Sequence, residues 1–324
     1  MWSWWSLCSM RCAPRIGQHL LPDVETCTQL ATSWQLALRA ERKSEQTQKA
    51  YGDGLRFYLA FCAEESLPPM QKSTLNLWTG HLLDEGAAAA TARARQLAVR
   101  RFSAWLADEG EIQTDPFLGI KSPKLDEKVI EPLTDDQLRA LIKACSVPKG
   151  AEPKVALRHR RDEAIIRLML ETGTRAGEVV NMEVLDLDLP AGTAVIRRGK
   201  GGKGRVVPFG PDASLALDRY LRLRRGHRLA ESPALWLGDR GKRFSYDALH
   251  KTLRERADVA GIENFHPHRL RHTAAHRWLA AGGSETGLMA VAGWTRPDML
   301  MRYTKAQASA RAAEEARRLN LGEL

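Results

Sequence analysis

Residues 115–131, "DPFLGIKSPKLDEKVIE", mix proline, glycine and charge without periodicity. A stretch of that kind lies over a surface as a linker instead of continuing a helix or sheet. It divides a chain of 324 residues into two parts, each long enough to bury a core of its own. The second part starts cleanly. In "PLTDDQL" Thr134 and Gln137 have the Thr-x-x-Gln spacing of a capping box, and Leu133 and Leu138 stand where a hydrophobic staple places them. The expected organisation is an irregular extension over 1–43, a helical domain over 44–114, the linker over 115–131 and a second domain over 132–324.

Periodicity gives each part its character. From Ser44 onward Tyr51, Leu55, Tyr58 and Cys62 follow at spacings of four, three and four, which is one helix face. Further helices are expected over 74–86 and 91–110; in the latter Val99, Phe102 and Leu106 face inward, and Arg93 and Arg100 share an outer face. In the second part "DEAIIRLMLETG" (162–173) reads as a buried helix stopped by Gly173, and "TRAGEVVNM" as a short helix entered at Thr174. Three β-type runs follow at 184–188, 193–198 and 205–209. The last two flank "GKGGKG", too flexible for anything but a hairpin tip. From Pro211 the pattern is helical again, with breaks at "LGDRGKRFS" and "AGGSE". The fold class predicted is mainly α with a small antiparallel β-sheet, in the α+β class.

Charge narrows the partners. The formal net charge is +10, and residues 131–324 carry 34 Lys and Arg against 24 Asp and Glu, while residues 1–130 carry 15 of each. A basic globular domain of this kind favours nucleic acid. The five cysteines (Cys8, Cys12, Cys27, Cys62 and Cys145) are scattered and odd in number, so reduced thiols are expected. The apolar opening "MWSWWSLCSM" is cut short by Arg11, Pro14 and Arg15 and lacks a basic leader. No membrane segment and a cytoplasmic location are therefore expected. His266, His268, His272 and His276 could present a metal face, but no nearby carboxylate or thiol completes the set, and no metal is expected. "GKGGKG" lacks the spacing of a phosphate-binding P-loop.

Four patches remain: "TGTRAGE", "RGKGGKGR", "HPHRLRH" and "GWTRPDMLMRY". Each alone is weak. Taken in order, Arg175, Lys200, His268, Arg271, Trp294 and Tyr303 resemble the constellation of the tyrosine recombinase (phage integrase) family, and the segments around them are similar to that family's motifs over roughly residues 44–310. The simple two-domain members of the family are those it resembles most. That resemblance implies a helical core DNA-binding domain, a DNA breaking-rejoining catalytic domain, and site-specific recombination through a 3′-phosphotyrosyl intermediate and a Holliday junction.

The chemistry agrees with it. Breaking a phosphodiester without metal or water needs a nucleophile, donors for the non-bridging oxygens and a proton for the leaving oxygen. Arg175 and Arg271 suit the clamp because forked guanidiniums stay charged. Lys200 suits the proton donor, Tyr303 the nucleophile, and His268, three residues before Arg271 on one helix face, the proton exchanger. Glu178, one turn from Arg175, is expected to orient a neighbouring side chain. Trp294 stands where many members carry histidine. Its indole N–H can donate to a phosphate oxygen but cannot act as acid or base. Arg93, Arg100, Lys203 and Arg205 are expected to touch DNA. The implied partner is double-stranded DNA, gripped between the two domains by a homotetramer on paired sites; the tail after Tyr303 is expected to dock on a neighbouring subunit. No cofactor is expected. The alternatives are a type IB topoisomerase, or a DNA-binding accessory protein without turnover.

Overall fold

The computed structural model describes residues 21–125, 130–197, 204–238, 244–296 and 300. The chain divides into two compact units, Met1–Lys128 and Val129–Leu324.

The first unit is helical. Helix α1, Val24–Ala40, starts where the Asp23 carboxylate accepts the Thr26 N–H at 2.9 Å, the usual way to satisfy a free donor at a helix start. Cys27, Trp34 and Leu38 lie on its buried stripe. This corrects the expectation of an irregular stretch over 1–43: a capped helix with an apolar face at helical spacing occupies much of it. Trp34 stacks on Tyr51 with ring centroids 5.9 Å apart and tilts against Phe102 at 5.3 Å. α2 (Glu45–Glu64) is capped by Ser44 and contributes Leu55, Tyr58, Leu59 and Cys62 to the same core. α3 (Lys72–Asp84) and α4 (Ala89–Asp108) complete it. Gly54 lets α2 and α4 approach closely, since a Cβ there would lie 2.7 Å from the Ala98 Cβ.

Residues 115–120 are also part of this unit rather than free linker. The Asp115 carboxylate accepts from Ser103 Oγ and from the Phe117 N–H, and Phe117 is fully buried beside Ile112. Proline and glycine without periodicity predict a linker over the surface, but over 115–120 they shape a turn that returns an aromatic ring to the core.

The second unit opens with α5, Asp135–Lys143. Its capping box is formed as the spacing predicts: Thr134 Oγ1 accepts from the Gln137 N–H at 3.2 Å and Gln137 Oε1 from the Thr134 N–H at 3.1 Å. α6, Pro153–Thr172, is buried on most of its circumference, as a central helix must be. Gly173, at φ 59°, ends it in the left-handed conformation that glycine adopts most easily. Within α6 the fully buried Asp162 accepts from the Arg161 side chain and, at 2.8 and 2.9 Å, from Arg256. Arg256 also donates to the Ala144 carbonyl, so one buried carboxylate ties α6 to the end of α5 and to α9 (Tyr246–Val259).

α7 (Ala176–Val180) leads into the sheet. The run expected as a strand over 184–188 is mostly a 3₁₀ turn, Val184–Asp186, because the Asp186 carboxylate accepts the Glu183 N–H and bends the chain. Only Leu187–Asp188 pairs, as β1, followed by β2 (Thr193–Ile196) and β3 (Arg205–Pro208), antiparallel in the order β1-β2-β3. α8 (Pro211–Arg224), α10 (Pro267–Ala280) and α11 (Glu285–Ala292) follow, with α8, α9 and α10 packed against α6. The fold is thus mainly helical with a small antiparallel sheet. Among the described residues no helix is long and apolar enough to cross a membrane.

Replacing Trp34 by alanine should destabilise the first unit by about 3–5 kcal/mol. In hydrogen exchange on the full chain, amides of α1, α2 and α4 should lose protection while those of α6 keep theirs; unchanged exchange in α2 and α4 would make α1 an appendage.

Candidate active site

The site is organised around the end of α11. A helix leaves its last carbonyls without intrahelical partners. Gly293, at φ 65°, turns the chain so that its own N–H reaches the Ala290 carbonyl and the Trp294 N–H that of Met289. The next three carbonyls each receive a different arginine: Val291 accepts from Arg205 Nε at 2.8 Å, Ala292 from Arg271 Nη2 at 2.7 Å, and Gly293 from Arg175 Nη2 at 3.2 Å. Cations at the negative end of a helix dipole are favourable. One short stretch of backbone therefore sets the spacing of three guanidiniums.

The arginines reach this point from separate elements. Arg175 caps the start of α7, two residues beyond the Gly173 that stops α6, and its side chain keeps 29% exposure. Arg271 lies within α10, is 2% exposed, and donates its other terminal nitrogen to the Gly173 carbonyl. Arg205 opens β3 and is 12% exposed. Glu178 lies among them. Its Oε1 accepts from Arg175 Nη1 at 2.9 Å and Arg205 Nη1 at 3.0 Å, while its Oε2 accepts from the Arg175 N–H at 2.9 Å and Arg205 Nη2 at 2.7 Å. Burial raises the Glu178 pKa, but the Arg205 hydrogen bond, the Arg175 N–H and the two positive charges outweigh it, and the net shift is downward. The carboxylate stays ionised.

Trp294 is 5% exposed, packed with Ala275, Leu279, Leu288, Ala292 and Leu300. The Arg271 guanidinium carbon lies 5.2 Å from its ring centroid. The indole thus fixes the turn after α11 against α10 and touches a site arginine. His268 is exposed on the first turn of α10, one turn before Arg271, with its ring edge-to-face on His272 at 4.7 Å. Arg175, Glu178, Arg271 and Trp294 therefore come together. Lys200, Lys203, Tyr303 and the tail beyond it lie outside the described residues.

Of the expected DNA contacts, Arg93 is exposed on α4, and Arg100, half-buried, donates to Ser122 Oγ at 3.3 Å. Arg205 is a correction. Its forked end is closed by Glu178 and its Nε by Val291, so it faces the interior and presents no fork to a phosphate. The sequence held a signal for this. Strand alternation puts residue 205 on the face of Val207 and Phe209, both buried, and the register pairs it with buried Ile196.

Comparison with known proteins defines the class. The phage integrase family model matches residues 131–310, and the phage integrase N-terminal SAM-like domain matches residues 31–110. The chain belongs to the phage integrase family and is a tyrosine-type site-specific recombinase. Tyrosine recombinase XerC of Mycobacterium bovis (strain BCG / Pasteur 1173P2) is 38% identical over 257 residues, covering 76% of this chain and 83% of that one. XerC of Corynebacterium glutamicum is 30% identical over 241 residues, covering 74% and 75%. In fold the chain is similar to a lambda integrase dimer bound to a COC′ core site, with a TM-score of 0.65 at 16% identity over 85% of this chain and 94% of that one. It is also similar to XerA recombinase, with a TM-score of 0.51 at 23% identity over 91% and 99%. Relatives named as recombinases and integrases leave the topoisomerase and accessory-protein alternatives without support.

Removing the Glu178 charge as Glu178→Gln should cost about 3 kcal/mol at neutral pH, because two guanidiniums lose their shared partner. A carboxyl whose folded pKa is depressed stabilises above its unfolded value, ordinarily 4.5, and loses that contribution as pH falls through the folded value. Urea titrations from neutral pH down to about pH 3 should therefore show the variant and wild type converging; a constant gap would place the loss in packing.

Proposed function

We propose that Arg175, Arg271, Lys200, His268, Trp294 and Tyr303 form one phosphodiester-cleaving site acting on double-stranded DNA. The observation that carries this reading is the row of arginines on the α11 carbonyls, which holds Arg175 and Arg271 side by side with Arg175 still partly open to solvent. Preorganised cations of this kind stabilise charge that develops on the phosphate without reorganising during the reaction. The Tyr303 phenolic oxygen attacks phosphorus, its proton passing to His268. The bond from phosphorus to the 5′-oxygen breaks, and Lys200 protonates that oxygen. The 3′-phosphotyrosyl bond retains the energy for rejoining, so no cofactor enters. Arg93, Arg100 and Lys203 contact the DNA away from the reacting phosphate.

Four protomers on two sites exchange strands in pairs, in the cytoplasm, through a four-way junction. A lambda integrase tetramer bound to a Holliday junction, similar to this chain with a TM-score of 0.62 at 15% identity, supports that assembly as a likeness of fold. A duplex nicked close to the cleavage point should trap a covalent adduct with the wild-type chain and none with Tyr303→Phe. An adduct that persists in Tyr303→Phe overturns the nucleophile. Relaxation of site-free supercoils without joining of two sites would favour the topoisomerase reading instead.

Trp294 is both buttress and phosphate donor in this scheme, its N–H supplying a bond that the ring's packing holds in place. In the same assay Trp294→His should retain more cleavage than Trp294→Phe. The reverse order would reduce Trp294 to packing.

A further inference from the structure

We infer that Arg205 is a positioning residue for the recombination reaction: by holding Glu178 it keeps the Arg175 guanidinium turned toward the phosphate. The inference rests on the reading of Arg175 as a phosphate ligand and goes beyond it.

The geometry supports this in three ways. Glu178 has four donors, two of them from Arg205, and those two occupy both carboxylate oxygens. The plane of the carboxylate is therefore held by Arg205, and the Arg175 side chain approaches through a single nitrogen, Nη1. Without Arg205 only the Arg175 backbone N–H on Glu178 and the Gly293 carbonyl on Arg175 would oppose a turn of Glu178 that grips Arg175 through two side-chain nitrogens, the arrangement guanidinium and carboxylate prefer. That turn would draw the phosphate-facing edge of Arg175 inward. Secondly, a net positive charge is left for the phosphate only with Arg205 present. Arg175 and Arg205 share one carboxylate and leave an excess of one positive charge, whereas Arg175 with Glu178 alone leaves none. Thirdly, Arg205 Nε on the Val291 carbonyl joins β3 to the backbone that also holds Arg175 and Arg271. Gly293 is part of this arrangement: a Cβ there would come within 3.0 Å of the Arg205 guanidinium, at a backbone φ of 65° that already strains other residues.

A phosphate contact and a positioning role predict different losses. A lysine or arginine on a DNA phosphate contributes to affinity and to its salt dependence; a residue that aims another group changes the rate of chemistry. The test measures single-turnover cleavage of the nicked duplex and DNA affinity across a salt series for Arg205→Met, Arg205→Lys and the double variant Arg205→Met with Glu178→Gln. Melting curves establish which variants fold. Arg205→Met should cleave roughly 10- to 100-fold more slowly, the scale of a displacement of about 1 Å in a catalytic group, with affinity and salt slope unchanged. The double variant should recover part of the rate, because a neutral amide no longer pulls Arg175 inward. Arg205→Lys, which keeps the charge without the fork, should fall between wild type and Arg205→Met.

Wild-type cleavage in Arg205→Met, or lower affinity with a salt slope reduced by about one, overturns the inference. So does a double variant that folds and cleaves no faster than Arg205→Met. If Arg205→Met does not fold, Arg205→Lys decides: slowed cleavage at unchanged affinity supports positioning, and an unchanged rate overturns it. Arg175→Gln run in parallel separates the two readings, since wild-type cleavage by that variant would remove Arg175 from the site whatever Arg205 does.

Discussion

The constraint on which the site depends is that a helix cannot satisfy its own last carbonyls. Where such a helix end is buried, the orphaned acceptors must find donors or impose a large penalty. At the end of α11 the turn at Gly293 answers two of them, and three guanidiniums answer the next three. Those arginines come from α7, β3 and α10, which are far apart in the sequence. The need to satisfy the backbone is thus the same interaction that gathers charged groups from three elements into one place.

Gathering three cations raises an opposing problem, and Glu178 is the counterweight. Its two oxygens take four donors, which satisfies it more fully than a single ion pair could, and its ionisation is maintained despite burial. A buried charge is tolerable when it is paired and hydrogen-bonded, and costly when it is not. The same rule recurs in the second unit at Asp162, buried between Arg161 and Arg256. There the charges join α5, α6 and α9 and stiffen the scaffold, while at Glu178 they leave one guanidinium partly open.

Much of this was legible before any coordinates. The capping box at Thr134, the stop at Gly173 and the strands flanking the glycine-rich connection follow from local rules, and the structure has them where those rules put them. Arg175, Arg271 and Trp294, the groups that meet, were identified by the resemblance of their ordered motifs to the phage integrase family. α1 is not foreseen because its cap at Asp23 and its stripe of only Cys27, Trp34 and Leu38 give a weak helical signal directly after a Trp-rich, Pro-containing opening. The inward role of Arg205 was missed for a different reason. Residue type alone says that an arginine beside a glycine-rich turn is solvated, whereas strand alternation with Val207 and Phe209 shows which face it takes. The three carbonyls on α11 have no side-chain signature at all, so the feature that organises the site is invisible to a reading of residue types.

Gly293 carries the consequence furthest. It has no functional group, touches no substrate in the proposed scheme, and would be passed over in any search for chemically active residues. Yet its backbone sets the direction of the carbonyl row, and even one added methyl would meet the Arg205 guanidinium. In a collection of spontaneous loss-of-function alleles this codon should stand beside those of the arginines. Its defects would be conditional on temperature, since the steric conflict subtracts from a stability margin that shrinks on warming.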